Sequence, residues 1–254
     1  MSSLEAFILG VIEGLTEFLP VSSTGHLILV SHLLGVEQTE THKAFEVSIQ
    51  LGSIMAVLFL YWKRFFEVQV MKRLVLAFIP TGILGFLLYK LIKSLFSPYV
   101  VVFMLIFGGV VLIVIEYYHK EKGYGIKQIE DVNYSRSFLL GVFQSLAMIP
   151  GTSRSGATII GGLLLNLDRK TAAEFSFLLA VPTMFMATFY DIYKNHASFN
   201  LSDWNNLLIG FFTAFVFGML AIKLLLRFVS THNFIPFGMY RIFIGIVYLL
   251  VVLR

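Results

Sequence analysis

Six stretches of about 20 predominantly apolar residues constrain this chain more than any other feature of its sequence. They lie near residues 45–62, 74–93, 99–118, 172–193, 205–228 and 234–253. A hydrocarbon core about 30 Å thick is crossed by about 20 residues of α-helix. Within lipid, only helices and closed barrels satisfy every backbone hydrogen bond. The sequence therefore predicts an all-α polytopic membrane protein, folded as a single membrane domain over residues 1–254.

The composition agrees with this class and excludes others. Charged residues make up 13% of the chain and hydrophobic residues 57%, whereas a soluble domain carries about 25% charged residues. This low charge density excludes a disordered chain, a basic nucleic-acid-binding protein and an ordinary cytosolic enzyme. Cysteine is absent, which excludes disulfides, thiol catalysis and cysteine-ligated metals. The first 20 residues have no basic region and contain three glutamates, so we expect no cleavable signal peptide.

Two further apolar regions, residues 4–34 and 137–167, are each interrupted by a proline-led polar run. These runs are PVSSTGH at 20–26, the first loop, and PGTSRSG at 150–156, the second loop. The apolar pieces beside them have roughly 10–16 residues, or about 15–24 Å of helix, which is too short to cross comfortably. We therefore predict two re-entrant helical hairpins, with both loops at membrane depth and surrounded by protein or a wet cavity.

The two halves of the chain resemble each other at a separation of roughly 130–138 residues. For example, GVIEGLTEFLP at 10–20 parallels GVFQSLAMIP at 141–150. Each half contains one re-entrant hairpin and three transmembrane helices. Because three spans is an odd number, the second half begins on the opposite side of the membrane and is inverted relative to the first. The sequence predicts an inverted-topology repeat, with internal repeat 1 at about 4–118 and internal repeat 2 at about 137–254. Such repeats place sites near the membrane midplane.

The basic residues predict the orientation. With the N-terminus outside, 12 of them lie on the cytoplasmic side and five on the outer side, while Arg154 and Arg241 lie within membrane segments. The cytoplasmic group is Lys63, Arg64, Lys72, Arg73, Lys120, Lys122, Lys127, Arg136, Arg169, Lys170, Lys223 and Arg227, and the outer group is Lys43, Lys90, Lys93, Lys194 and Arg254. The positive-inside rule favours this orientation. The two loops then enter from opposite faces and their tips can meet.

Two glutamates precede the first loop. Ionisable residues at membrane depth cost about 2.5–3.5 kcal/mol each on insertion scales, so each is a functional hypothesis by default. Glu13 and Glu17 are four residues apart and share one helix face. Because two carboxylates repel each other there, either one is protonated or a cation lies between them. The alternative is a solvated vestibule in which both only support insertion or folding.

The first loop carries groups suited to a phosphate. Ser22, Ser23, Thr24 and Gly25 lie where a short helix begins, and the free N–H groups of a helix N-terminus form an anion site. Ser23 and His26 are three residues apart, the spacing at which a hydroxyl and an imidazole reach one phosphorus centre. Serine is also a common helix cap, so the buried position of the loop is what favours a functional interpretation.

The second loop adds hydroxyls and one arginine. Thr152, Ser153 and Ser155 flank Arg154, whose planar guanidinium suits phosphate oxygens. No acidic residue lies within ten positions of Arg154, so its partner is a distant glutamate across the repeat interface or a bound anion. The alternative is a structural bridge that locks the two repeats together.

Carboxylates, hydroxyls, an imidazole, an arginine and two helix N-termini together predict phosphoryl chemistry. No P-loop, Rossmann fingerprint or kinase loop is present in the sequence, which disfavours a nucleotide substrate. A substrate reached from within the bilayer is a lipid with a phosphorylated head group.

The same motifs resemble a known family. EGLTEFLPVSSTGH at 13–26 and PGTSRSG at 150–156 look like the two signature motifs of the bacterial undecaprenyl-diphosphate phosphatases, the bacitracin-resistance family. FEVSIQLGS at 45–53 and EFSFLLAVP at 174–182 resemble that family too, and the likeness covers almost the whole chain. It implies hydrolysis of undecaprenyl diphosphate to undecaprenyl phosphate and inorganic phosphate, for lipid-carrier recycling in cell-wall synthesis. It also implies the bacterial plasma (inner) membrane, a site open to the outer side, and a divalent cation, Mg²⁺ or Ca²⁺.

Motif by motif, the resemblance points to Glu13, Glu17, Ser23, His26, Ser153 and Arg154. Our hypothesis is that Ser23 attacks the terminal phosphorus and His26 exchanges its proton. Glu13 and Glu17 would hold the metal or set the imidazole, while Arg154 and the amides near Ser153 clamp the diphosphate. The variants are His26 as nucleophile, or a water activated by a glutamate.

Rival classes remain open. Inverted repeats with broken helices are also typical of secondary transporters, so the alternative is a lipid or ion transporter or flippase. SSTGH at 22–26 is also similar to a stretch of the unrelated phosphatidate-type phosphatases, but their third motif needs a histidine, and none follows Arg154 until His196. We expect an isoprenoid diphosphate lipid and the phospholipid bilayer as partners and no nucleic acid, and we leave a homodimer open.

Overall fold

The computed structural model of the chain describes residues 1–37, 39–119, 125–195 and 204–252. These residues form eleven α-helices, three short 3-10 turns and no β-strand, apart from an isolated bridge between Ile126 and Leu167. The helices are α1 (Ser3–Glu17), α2 (Ser23–Leu33), α3 (Glu40–Tyr61), α4 (Val68–Leu87), α5 (Tyr89–Ser94), α6 (Pro98–Tyr118), α7 (Tyr134–Ser145), α8 (Arg154–Leu164), α9 (Arg169–Asn195), α10 (Trp204–Val229) and α11 (Ile235–Val252). The 3-10 turns are Trp62–Phe66, Ile129–Asp131 and Leu146–Met148.

Six helices are long and apolar enough to cross a membrane. The candidate spans are Thr41–Phe66, Val68–Leu87, Pro98–Tyr118, Arg169–Phe189, Trp204–Val229 and Ile235–Val252. They coincide with the six apolar stretches of the sequence, so the prediction of an all-helical, multi-pass membrane protein is confirmed. Among the residues used in the predictions, Lys120, Lys122, His196 and Arg254 lie outside the described residues, as do the side chains of Lys93 and Lys194.

Besides the six-residue helix α5, four helices are too short to cross. The helices α1, α2, α7 and α8 have 15, 11, 12 and 11 residues, which correspond to about 17–23 Å at 1.5 Å per residue. Two of these helices have capping residues at their N-termini. Ser2 and Glu5 form a capping box at the start of α1, and the Asn133 side chain accepts a hydrogen bond from the Arg136 N–H at the start of α7. The first loop lies between α1 and α2, and the second loop lies between α7 and α8.

Helix packing brings the two loops into the interior. The helix α1 packs against α10, and α7 packs against α4, so each short helix contacts a span from the other half of the chain. The helices α3 and α9 contact each other, as do α6 and α11. Close approach depends on glycine: a Cβ on Gly14 of α1 would lie 2.6 Å from the Ala214 carbonyl oxygen of α10. These contacts between the halves determine where the loops lie.

Candidate active site

Each loop contains a serine with an unusual backbone conformation immediately before the following helix. Ser22 precedes α2 with φ 70°, and Ser153 precedes α8 with φ 72°. Non-glycine residues rarely adopt a positive φ. Such strain costs about 1–3 kcal/mol and is concentrated at functional sites. The shared conformation makes the first residues of the two helices, Ser23 and Arg154, positional counterparts.

Those two first residues meet at one carboxylate. The Ser23 hydroxyl donates to Glu17 Oε2 at 2.6 Å, and Arg154 Nη2 donates to Glu17 Oε1 at 2.9 Å. Glu17 and Arg154 are both largely buried, with side chains 6% and 11% exposed. The structure therefore brings together three of the predicted residues from opposite halves of the chain, and it identifies Glu17 as the distant partner of Arg154.

Arg154 makes further contacts that the sequence did not reveal. Its Nη1 donates to the Ser176 carbonyl oxygen of α9 at 2.8 Å, and its guanidinium lies over the Phe18 ring, 5.9 Å from the ring centroid. The Nε group is buried and has no partner among the described residues. Ser176 belongs to the EFSFLLAVP run at 174–182, so that motif was the only sequence signal for this contact. An arginine held in this way keeps N–H donors, the Nε–H among them, that no described residue accepts.

The second loop is fixed to the first by its hydroxyls. Ser155 Oγ donates to the Leu19 carbonyl oxygen at 2.7 Å, across the boundary between the halves. Ser153 Oγ accepts from the Gly156 N–H at 3.1 Å and hydrogen-bonds to Ser155 Oγ at 3.1 Å. The Thr152 hydroxyl is buried without a partner in the described part of the chain. Ser153 therefore acts locally as a helix cap, and Ser155 joins the loops.

His26 does not contact Ser23. Its Nδ1 lies 2.8 Å from the Ser22 carbonyl oxygen and its Nε2 lies 2.9 Å from the Tyr240 hydroxyl. Because a carbonyl only accepts, Nδ1 carries the proton in the neutral ring and Nε2 accepts from Tyr240. The imidazole also stacks on the Tyr240 ring with centroids 5.5 Å apart. The proton exchange hypothesised between Ser23 and His26 thus has no contact to support it, and Tyr240 is a partner that sequence reasoning missed.

Glu13 lies deeper than Glu17. Its side chain is fully buried, and neither of its oxygens has a hydrogen-bond partner among the described residues. It interacts electrostatically with Glu17, Glu46 and Arg154. The Ser53 hydroxyl faces Glu13, but without the geometry of a good hydrogen bond. A buried carboxylate without partners is costly, so Glu13 either carries a proton or lies beside a cation that it binds.

The divalent cation stays a prediction, and the candidate ligands differ in how well they fit one. Within the described ranges, no group of three or more His, Asp or Glu side chains is arranged to hold a metal ion. Both oxygens of Glu17 are engaged, by Ser23 and by Arg154. The two oxygens of Glu13 are hard donors of the kind that Mg²⁺ and Ca²⁺ prefer. Glu13 therefore fits a divalent cation better than Glu17 does.

A cavity of about 160 Å³ lies between the loops. Of the predicted residues, it is lined by Glu17, Ser22, Ser23, Thr24, Ser153 and Arg154, but not by Glu13, Gly25, His26, Thr152 or Ser155. Gln50 of α3 also lines it, and its amide makes no hydrogen bond within the described chain; the FEVSIQLGS run at 45–53 was its only sequence signal. An apolar wall is formed by Phe96, Ala147, Met148 and Met184. The lining therefore combines carboxylate, hydroxyl and guanidinium groups with apolar side chains.

A larger groove of about 650 Å³ lies on the outward face of α4 and is almost entirely apolar. Lys72 is its one charged lining residue, and none of the predicted site residues contributes to it. The cavity between the loops is therefore the candidate site, although it is smaller than this groove.

The fold and the site define a multi-pass membrane protein with a buried carboxylate, hydroxyl and guanidinium cluster. The family model "Bacitracin resistance protein BacA" matches residues 6–247, and the chain belongs to this family. It is 72% identical over 250 residues to the undecaprenyl-diphosphatase of Sulfurihydrogenibium sp., covering 98% of this chain and 99% of that protein. It is also 65% identical over 254 residues to that of Persephonella marina, covering 100% of both chains. With that of Aquifex aeolicus it shares 52% identity over 251 residues, 98% of each chain.

Proposed function

We propose that this protein is an undecaprenyl-diphosphatase, which hydrolyses undecaprenyl diphosphate to undecaprenyl phosphate and inorganic phosphate and so recycles the carrier for cell-wall synthesis. Relatives of that name match 98–100% of the chain. The observation that carries the proposal is the contact of Ser23 and Arg154 with opposite oxygens of Glu17 beside one cavity. In this contact a candidate nucleophile, a candidate base and a fixed cation would lie within reach of one phosphate.

The architecture that we infer is a single membrane domain built from two inverted repeats, at about 4–118 and about 137–254. Each repeat would contain a re-entrant hairpin, α1–α2 or α7–α8, and three transmembrane helices. Helix packing supports this inference. In the two repeats, α1 corresponds to α7, α3 to α9, α4 to α10 and α6 to α11. Under this correspondence the α1–α10 contact is equivalent to the α7–α4 contact, and the α3–α9 and α6–α11 contacts each join two equivalent helices. The two serines with positive φ occupy matching places under the same exchange.

Ser23 is the proposed nucleophile. Its Oγ forms a bond to the terminal phosphorus while the bridging P–O bond breaks, and undecaprenyl phosphate leaves. The Ser23 proton passes to Glu17 Oε2, which already accepts it as a hydrogen bond at 2.6 Å. Water then attacks the phosphoserine: Glu17 returns its proton to Ser23 Oγ as the P–Oγ bond breaks, and the freed Glu17 carboxylate takes a proton from the attacking water and releases it to solvent. This scheme assigns to Glu17 the proton transfer that the sequence hypothesis gave to His26.

Arg154 connects substrate binding with this base. Without substrate, its guanidinium holds Glu17 Oε1 in an ion pair. A diphosphate offers oxygens that compete for the same N–H donors of the guanidinium. As Arg154 turns toward the phosphate, Glu17 Oε1 is released, while Oε2 stays with the Ser23 hydroxyl. Arg154 would then stabilise the charge that develops on the transferred phosphoryl group.

His26 fits a positioning role for the first loop. Its Nδ1–H holds the Ser22 carbonyl, and Tyr240 holds its other nitrogen. As a nucleophile, His26 would first have to break the Tyr240 bond. Trapping a phospho-enzyme and locating the phosphate separates the schemes: phosphoserine at Ser23 supports ours, and phosphohistidine at His26 contradicts it.

A divalent cation, Mg²⁺ or Ca²⁺, is the proposed cofactor, and Glu13 is the residue that would hold it. When bound, it would neutralise charge on the diphosphate. The Ser53 hydroxyl faces the same point. Glu13 itself would keep a negative charge at membrane depth, where the cation offsets its cost.

The lipid tail would leave along the apolar wall, since Phe96, Met148 and Met184 border the cavity beside its polar end. We propose further that the site opens to the outer side of the bacterial inner membrane, as the distribution of basic residues predicts. Homodimer formation stays a prediction.

The decisive experiment measures inorganic phosphate released from undecaprenyl diphosphate by the purified protein in detergent. We expect turnover by the wild type and a loss of about 1,000-fold or more for Ser23→Ala, because the covalent step is removed. Ser137→Ala is the matched control: Ser137 is also buried, but it only donates to the Asn133 carbonyl at 3.2 Å, away from the cavity. Wild-type protein without phosphate release would favour the transporter alternative, and full turnover by Ser23→Ala would refute the serine nucleophile.

A further inference from the structure

We propose that Arg241 of α11 is a positioning residue that fixes the two loops of the site relative to each other, a role that rests on the proposed phosphatase function. Its guanidinium donates from Nη1 to the Pro20 carbonyl oxygen at 3.2 Å and from Nη2 to the Gly151 carbonyl oxygen at 3.0 Å. Pro20 begins the first loop, and Gly151 lies in the second. One side chain therefore joins the two halves of the chain at the point where the candidate site forms.

Two more hydrogen bonds anchor the same guanidinium to α6. Nε donates to the Leu105 carbonyl oxygen at 3.3 Å, and Nη2 donates to the Met104 carbonyl oxygen at 2.9 Å. Arg241 is fully buried, and no carboxylate pairs with it among the described residues. A buried cation without a counter-ion is costly, and an ionisable residue in a membrane segment is a functional hypothesis by default. We connect the cost of burying Arg241 with the position of the loops, because the guanidinium donates to a carbonyl oxygen of each loop.

The surrounding helices leave space for this guanidinium. A Cβ on Gly108 of α6 would lie 2.3 Å from Nη2 of Arg241, and a Cβ on Gly156 of α8 would lie 3.0 Å from Nη1. A larger residue at Gly108 would displace the guanidinium. Both glycines therefore belong to a socket that accepts an arginine head group.

Arg241 acts through the loops rather than on the substrate. It does not line the cavity between them. Ser22 and Ser153 hold strained backbone conformations beside its carbonyl partners, and such conformations persist only where the surroundings over-determine them. Lysine carries the same charge but donates from a single nitrogen, so it cannot bridge carbonyls on α6 and on both loops.

The first test compares Arg241→Lys with Arg73→Lys. Arg73 is a matched control because it is also buried and donates to backbone carbonyls, including that of Gln69 at 2.7 Å, but none of these carbonyls belongs to the two loops. We expect kcat to fall about 10–100-fold in Arg241→Lys, the effect of misplacing reacting groups by about 1 Å, with a smaller change in KM. We expect kcat within about 2-fold of wild type in Arg73→Lys at a similar loss of Tm. Wild-type kcat in Arg241→Lys, or a loss no larger than its loss of folded protein, overturns the proposal.

Gly108→Ala tests the socket while leaving Arg241 in place. The matched control is Gly82→Ala in α4, where the nearest atom to an added Cβ lies at an ordinary 3.4 Å. A fall in kcat for Gly108→Ala and none for Gly82→Ala supports the proposal, and equal effects contradict it.

A second measurement does not depend on activity. Because the chain has no cysteine, spin labels attach only at cysteines introduced at Leu33 and Leu164, which are exposed near the ends of α2 and α8. We expect one narrow distance distribution with Arg241 present and in Arg73→Lys, and a shifted or broadened one in Arg241→Lys. An unchanged distribution in Arg241→Lys refutes the positioning role. If the wild type releases no phosphate while the distances still respond to Arg241→Lys, the proposed function fails and the positioning role stands.

Discussion

Glu17 binds the Ser23 hydroxyl through one oxygen and the Arg154 guanidinium through the other. At membrane depth, each of these groups would be costly to leave unpaired. The carboxylate therefore makes two contacts in one place: it compensates the charge of a largely buried arginine and it accepts a hydrogen bond from the hydroxyl of a candidate nucleophile. A change at Glu17 is expected to affect both.

Glu17→Gln separates the two candidate bases when it is compared with His26→Gln. The amide keeps the shape of the side chain but cannot accept the Ser23 proton, so we expect kcat to fall about 100-fold or more. We also expect the pH–rate profile to lose the limb that arises from protonation of the base. His26→Gln is expected to retain that limb, because Glu17 still takes the proton. Measurement of phosphate release across pH checks both variants, and loss of the limb in His26→Gln alone would contradict the assignment.

Glu13→Gln tests the metal site. If Glu13 holds a divalent cation, chelation lowers the rate of the wild type, whereas the variant is slow from the start and loses little more on chelation. Titration of a luminescent lanthanide against both proteins provides a readout without turnover: we expect binding by the wild type and weak binding by Glu13→Gln. Equal lanthanide binding by the two proteins would remove Glu13 from the site. Glu5→Gln, at a half-buried residue in the first turn of the same helix, serves as the control.

At the scale of helices, the site depends on two elements that are too short to cross the membrane. The helices α1 and α7 end at the interior loops and pack closely against α10 and α4. Gly141 of α7 allows this approach, since an added Cβ would lie 1.9 Å from the Ala77 carbonyl oxygen of α4. Beside it, Thr81 donates to the Gly141 carbonyl at 3.1 Å and accepts from Gln144. Packing between halves therefore sets the depth of each loop.

Gly141→Ala is expected to destabilise the fold. The methyl group must force α7 away from α4, and overpacking of this kind typically costs about 1–3 kcal/mol. A lower thermal unfolding midpoint in detergent, with Gly82→Ala near the wild type, is the expected result. Because α7 leads into the second loop, we also expect reduced phosphate release from the protein that remains folded. An unchanged midpoint would show that α7 and α4 lie farther apart than described.

For the whole molecule, the decisive feature is that polar and charged groups are collected where the two halves meet. Large apolar residues such as Phe59, Phe86 and Phe103 are exposed on the outside, as expected for a surface that contacts lipid. Glu13 is buried inside, and so is most of the Arg154–Glu17 ion pair. Neither half alone could keep these charges from the hydrocarbon, so the site requires both.

Orientation is testable with the same cysteine-free chain. We expect a membrane-impermeant thiol reagent to label Leu33→Cys in intact cells and to label Lys127→Cys only after permeabilisation, because the predicted orientation places these exposed positions on opposite faces. The reverse pattern would place the site on the cytoplasmic side. Labelling of both in intact cells would indicate that the two positions share the outer face.

Several features followed from the sequence because they depend on local pattern. Apolar length predicted the six spans, and the proline-led runs predicted where helices break. Arg154 required a distant partner because no acid lies near it in the chain. The family resemblance, confirmed by the match over residues 6–247, pointed to the loops through their motifs. The inverted repeat, the metal and the roles of the site residues stay predictions.

Other features could not be obtained this way because they depend on which atoms meet across the halves. Spacing placed Ser23 and His26 on one helix face, but in the fold the Ser23 hydroxyl points to Glu17 and the imidazole to Tyr240. Gln50 and Ser176 reach the site only through helix packing.

The sequence by itself determined a membrane protein of six spans with two polar loops, since hydrophobic length and proline breaks act within one segment. Only the tertiary structure decided that one glutamate serves both loops and that Arg241 binds the backbone of each. Hydrogen-bond partners 90 or more residues apart are set by how the helices pack, and no local pattern contains that information.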